Sequence, residues 1–194
     1  LNLIKRSWKY DPAYFKSYLN LIQKFEQVVE TAPEQAEQIL ETVKAQTRIQ
    51  NAPAVAYFAL SNLCYMSGDE KAYQANLEKA FEIDPQFSIA ANNLAWMLAH
   101  DQEKLDLDKA SMLASELVQK YPSNPRFRDT YGTILMKQGK FELALNELEQ
   151  VLNRIPDKGS VHSKLAEIYD ELEKPALANI HREKSVEFQS QKEQ

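Results

Sequence analysis

Few side chains in this sequence are of the types that do chemistry. There are three histidines, His100, His162 and His181, and one cysteine, Cys64. His100 stands beside Asp101, the juxtaposition of an acid-base or metal pair. The plainer reading is a histidine at a helix end next to a solvated loop. His162 and His181 stand far from it and from each other in sequence, and no His-x-x-x-His ligand spacing occurs. Asp106 and Asp108 begin like a calcium loop, but Ala110 and the missing glycine break that pattern. Glu167, Asp170 and Glu171 read as a solvated acidic helix face. Cys64 lies among Leu60, Leu63 and Tyr65 and reads as a small core residue. A single cysteine excludes an intrachain disulfide framework and a cysteine zinc site. No phosphate loop, dinucleotide fingerprint or nucleophile elbow is present. The expectation is a protein that is not an enzyme and needs no cofactor or metal.

Composition narrows the class further. Only 4 glycines and 8 prolines occur in 194 residues, too few turn residues for an all-β fold. Ala, Leu, Glu, Lys and Gln dominate, as in helical proteins. The net charge of -5 gives no basic surface for duplex DNA, so no nucleic-acid partner is expected. No apolar run approaches the ~20 residues of a membrane span.

The stretch 139–156 sets the pattern for the rest. It reads as one helix with Gly139 before it and Pro156 after it. Ala144, Leu148, Val151 and Ile155 recur at steps of four, three and four, one face of a helix. About ten short helices follow from the same reading, joined by short turns. Pro122 and Pro156 are 34 residues apart, and Pro85 and Pro122 are 37 apart. A period near 34 residues with two helices per repeat is the signature of a helical array.

The residues within the period carry a more specific resemblance. One repeat holds Tyr131-Gly132, Leu135, Gly139, Ala144, Leu148 and Pro156. Another holds Tyr57, Leu60-Ser61, Cys64, Gly68, Leu77, Ala80 and Pro85, and a third Leu94-Ala95, Leu98, Ala110, Ala114 and Pro122. This chain resembles the tetratricopeptide-repeat (TPR) family of bacterial type. The resemblance implies an all-α fold, a right-handed superhelical solenoid of antiparallel helix pairs with a continuous core. It divides the chain into the tail of a preceding repeat (1–12), a divergent helix pair (13–53), a repeat (54–87), a repeat with a longer turn (88–124), a repeat (125–158), and a terminal pair with a frayed tail (159–194). Departures are Tyr73 in place of the usual alanine, extra residues near 101–106, and Glu173 where the turn glycine belongs. Leu1, Leu3, Ile4 and Trp8 at one end, and Val186 and Phe188 at the other, are expected to stay partly uncovered.

In this family the first helix of each pair lines a concave groove. By position, the partner-binding residues are Phe58, Asn62, Asn93, Trp96, Arg126, Thr130 and Lys164, with His100 and Asp129 beside them. Chaperone-binding members hold terminal carboxylates with five such residues. Asn62, Asn93 and Arg126 match three of these, and Phe58 and Thr130 replace two, so a full carboxylate clamp is not expected. Asparagine amides can still bond a peptide backbone, a basic side chain can pair an acidic one, and aromatic side chains can anchor apolar contact.

The function implied is a non-catalytic protein-interaction scaffold that binds a partner peptide or protein segment. The units at 92–96 and 129–132 are also similar to bacterial repeat proteins of exopolysaccharide secretion and envelope assembly, which implies a periplasmic or lipid-anchored protein; without that likeness, a cytoplasmic one. Two other classes stand beside this: a structural array that assembles as a homo-oligomer, and an accessory domain of a larger enzyme.

Overall fold

The computed structural model describes residues 12–101 and 105–192, and side chains within 15–101 and 105–190. The expected half-helix at 1–12 therefore lies almost wholly outside the described residues. Ten helices and no strand are found among the described residues. They are α1 (Pro12–Val28), α2 (Pro33–Thr47), α3 (Ala54–Met66), α4 (Glu70–Ile83), α5 (Ser88–Leu98), α6 (Leu107–Lys120), α7 (Pro125–Lys137), α8 (Phe141–Glu149), α9 (Lys158–Glu171) and α10 (Pro175–Lys192).

Local chemistry explains the starts. Asp69, Asp106 and Asp157 each cap a helix by accepting from the backbone N–H three residues on, at 3.0, 2.9 and 3.3 Å. The Asn124 side chain accepts from Arg126 N–H at 3.0 Å ahead of α7. Pro33 and Pro125 occupy first-turn positions, where no N–H is missed.

Three of the turns share one backbone solution. After α3, Asp69 N–H donates to Cys64 C=O at 2.9 Å; after α7, Lys140 N–H donates to Leu135 C=O at 2.9 Å; after α9, Lys174 N–H donates to Tyr169 C=O at 2.8 Å. This six-to-one bond closes a Schellman turn and needs a left-handed residue just before the donor. Gly68 (φ +75°) and Gly139 (φ +71°) fill two of those positions, and Glu173 (φ +57°) fills the third.

The chain forms two compact units, Leu1–Leu94 and Ala95–Gln194. In the first, α3 packs against α1, α2 and α4. Its core gathers Tyr18, Phe25, Ile39, Val43, Leu63 and Cys64. The Cys64 thiol is buried, as expected, and burial pushes its pKa up. In the second, α7 packs on α6 and α8, and α9 on α8 and α10. Leu135, Ala144, Leu148, Val161, Leu165 and Ile168 form its core. Gly132 is required there: a Cβ on it would stand 2.8 Å from Leu148 Cγ.

The stretch 139–156 departs from the single helix expected. Regular helix ends at Glu149, and the chain continues to Ile155 as turns, with Val151 N–H on Leu148 C=O and Arg154 N–H on Val151 C=O. Val151 nonetheless stays fully buried. Pro156 lacks an N–H and disfavours helical backbone at Ile155, which closes the stretch at its far end; nothing in the structure explains why regular helix stops as early as Glu149. At the other end of the chain, α10 runs to Lys192.

Candidate functional site

The seven residues assigned to a groove do not form one class of surface. In the first unit, Phe58 is only 5% exposed. Its ring meets the Phe87 ring edge-on at 5.1 Å, and Phe87 in turn meets Phe15 at 6.1 Å. Phe58 is thus a core residue of an aromatic cluster, a correction to its placement on the groove surface. Asn62 is half-buried, and its Nδ2 donates to Phe58 C=O at 2.7 Å, one turn back on its own helix. That bond leaves its Oδ1 as the acceptor for anything else. Asn93 is half-buried on α5.

In the second unit, Thr130 is also buried, at 6% exposure, and is corrected in the same way. Arg126 is exposed, on the rim of an open crease formed by the six consecutive residues from Tyr121 to Arg126. Lys164 on α9 reaches Asp129 on α7, with Nζ 2.6 Å from Oδ1. Thr133 Oγ1 donates to Asp129 C=O at 2.8 Å, which ties the same stretch of α7 together.

Trp96 keeps 39% of its surface exposed. The His100 ring stacks on it, with centroids 4.2 Å apart and planes 16° apart. His100 Nδ1 lies 2.8 Å from Trp96 C=O. A carbonyl only accepts, so Nδ1 carries the proton and donates. Burial lowers the His100 pKa, the carbonyl bond opposes this, and the cations of Lys137 and Lys164 lower it further. Lys137 on α7 and Lys164 on α9 are therefore within electrostatic reach of the stacked rings. Two lysines, one of them paired with Asp129, thus lie near an aromatic pair in a chain whose net charge is -5.

The structure also joins residues that the sequence kept apart. His162 and His181 meet with Nδ1 atoms 3.0 Å apart, although 19 residues separate them. The acidic face read from 167–171 is not simply solvated, because Asp170 pairs with Arg182 at 2.6 Å. No group of three or more His, Cys, Asp or Glu side chains gathers as a metal site among the described residues.

Solved structures with the same arrangement of helices decide what the fold is. The structure of MamA 41-end from Desulfovibrio magneticus RS-1 matches with a TM-score of 0.68 at 16% identity, over 93% of this chain and 97% of that one. The fold is a tetratricopeptide-type helical repeat. MamA of AMB-1 matches with a TM-score of 0.64 at 21% identity, over 88% of this chain and 98% of that one. PilF of Pseudomonas aeruginosa matches with a TM-score of 0.64 at 21% identity, over 86% of this chain and 73% of that one. No family model and no curated protein matches the chain.

Proposed function

We propose that this chain is a protein-interaction scaffold whose second unit holds an acidic segment of a partner protein against Trp96. The observation that carries this reading is the exposed Trp96 indole, stacked on His100 and within reach of the Lys137 and Lys164 cations. An indole offers apolar area at low entropic cost, and nearby cations select a carboxylate. The surrounding chain is net acidic, so an acidic segment is repelled elsewhere and attracted at this face. Lys164 is held in place by Asp129, which presets its ammonium for a second carboxylate. Arg126 adds an exposed cation in the same unit.

The experiment is calorimetric titration of the chain with a glutamate-rich peptide and with its lysine-rich counterpart. The glutamate peptide binds and the lysine peptide does not, and Lys137→Glu with Lys164→Glu abolishes the heat. Equal binding of both peptides, or an unchanged heat in the charge-reversed variant, overturns the reading.

Self-assembly has its own supporting observation. Leu177 and Ile180, one turn apart on α10, are 40% and 46% exposed, and Val186, on another side of the helix, is 58% exposed. Phe188, by contrast, is half-buried against His162. In the assembly reading, a second copy covers Leu177 and Ile180. Light scattering across concentration tests it: a mass that grows with concentration supports assembly, and a constant monomer mass rejects it.

A further inference from the structure

The contact between α9 and α10 is built around two imidazoles. His162 on α9 is buried, with 3% of its surface exposed, and its Nδ1 lies 3.0 Å from His181 Nδ1 on α10. A hydrogen bond between two ring nitrogens needs one N–H and one lone pair, so the two rings hold opposite Nδ1 states. The Phe188 ring lies parallel to His162, 5.5 Å away and 9° off. Tyr169 packs its ring on His181 at 5.3 Å. Ser185 Oγ, also buried, donates to Gly159 C=O at 2.9 Å in the same seam.

The charges facing the pair are named element by element. From α9, Lys158 sits 5.5 Å from the Phe188 ring centre, and Asp170 is neutralised by Arg182. From α10, Lys184 acts on both histidines. From α8, Glu149 is the anion that favours charge on His181, and its carboxylate accepts from Tyr169 Oη at 2.9 Å. Two cations and a buried seam thus stand against one engaged carboxylate.

We propose that the His162–His181 contact is a proton-sensitive latch that holds α10 on the repeat at neutral pH and releases it in acid. A first proton can sit on the donor ring's Nε2 and leave the bond intact, but it places charge in a buried seam beside Lys158 and Lys184. A second proton takes the remaining Nδ1 lone pair, so two N–H groups face each other and the bond is lost. The two titrations belong to the pair, not to either ring. Burial lowers both pKa values first; the partner imidazole and the lysines then add to the effect on His162, and Lys184 on His181. With no third ligand gathered beside them among the described residues, the two nitrogens lack a metal ligand set.

The test is amide hydrogen exchange on the whole chain at pH 7.5 and 5.0, corrected for intrinsic exchange. Protection across α10 falls by about tenfold or more in acid, while α3 and α4 keep theirs. In the double variant His162→Gln with His181→Gln, two amides keep a donor–acceptor pair without titrating, and α10 protection no longer depends on pH. Should that variant fail to fold, ring ¹⁵N shifts of the native chain decide. The expected result is one protonated and one bare Nδ1 at pH 7.5, with both protonated as α10 loosens. Unchanged α10 protection at pH 5.0, an equal acid loss in the folded double variant, or like Nδ1 states at pH 7.5 overturns the proposal.

Discussion

Replacing Glu173 with glycine stabilises this protein, although Glu173 is the natural residue and glycine is the more flexible one. Glu173 closes the α9–α10 turn with φ +57°, the conformation that Gly68 and Gly139 adopt in the equivalent turns. The hydrogen bonds match as well: Glu173 N–H donates to Asp170 C=O at 2.9 Å, as Gly139 does to Met136 C=O at 2.9 Å. A left-handed backbone costs an L-residue about 1–2 kcal/mol, which glycine avoids. Glycine loses about 0.5–1 kcal/mol through the entropy of the unfolded chain. The difference, about 0–1.5 kcal/mol and centred on about 0.8, leaves Glu173→Gly the more stable, by roughly 2–3 °C in Tm at the centre for a chain of this size. The converse variant isolates the backbone effect. A Cβ on Gly139 would meet nothing within 4 Å, so Gly139→Ala costs about 1 kcal/mol from φ alone. Urea melts followed by circular dichroism measure both. A Glu173→Gly variant less stable than the native chain refutes the equivalence of the turns.

Three further outcomes follow from the packing and the ionisable groups. Gly132→Ala gains about 1 kcal/mol of helix propensity but drives a Cβ to within 2.8 Å of the buried Leu148 Cγ, an overpacking cost of about 1–3 kcal/mol. The melting temperature therefore falls, and a rise contradicts the close approach of α7 and α8. Arg128 pairs with Glu147 across the same helix pair, both side chains being only 14% and 13% exposed. Arg128→Met strands that carboxylate and costs about 2–3 kcal/mol, while Arg128→Met with Glu147→Leu recovers most of it by denaturant melts. All three histidines have pKa values lowered on folding, so the unfolded chain binds more protons than the folded one below the ordinary histidine value of about 6.5. Their contribution to stability is complete above that value and shrinks as pH falls through it toward the folded pKa values. A melt series from pH 8 to 5 that shows no such fall contradicts these shifts.

Much of the fold was legible because punctuation residues report local physics. Pro85, Pro122 and Pro156 mark the period, and Gly68 and Gly139 mark turns that only a left-handed residue can close. Caps such as Asp69 and Asp106 sit just ahead of the helices they start. The site was less legible, because groove positions come from register, and register does not say what fills the space opposite. Phe58 falls on a groove position, yet Phe87, from the turn between α4 and α5, reaches its ring and closes it into the core. Thr130 is buried at its groove position in the same way. The histidine pair did carry a signal. His162 and His181 are separated by 19 residues across the α9–α10 turn, and Arg128 and Glu147 by the same 19 across the α7–α8 turn. In an antiparallel helix pair, residues at that separation about the turn face each other. Reading pairs about each turn, and not along each helix, would have joined the two imidazoles.

The central claim is that the Trp96 face binds an acidic protein segment, and Trp96 itself can report it. The chain has two tryptophans, so Trp8→Phe leaves Trp96 as the single indole. Titrating that variant with a glutamate-rich peptide at low salt gives a saturable shift in Trp96 emission. About 0.5 M salt weakens the shift, and Lys137→Glu with Lys164→Glu removes it. Emission that stays constant through the titration, or a shift that survives the charge reversal, contradicts the claim.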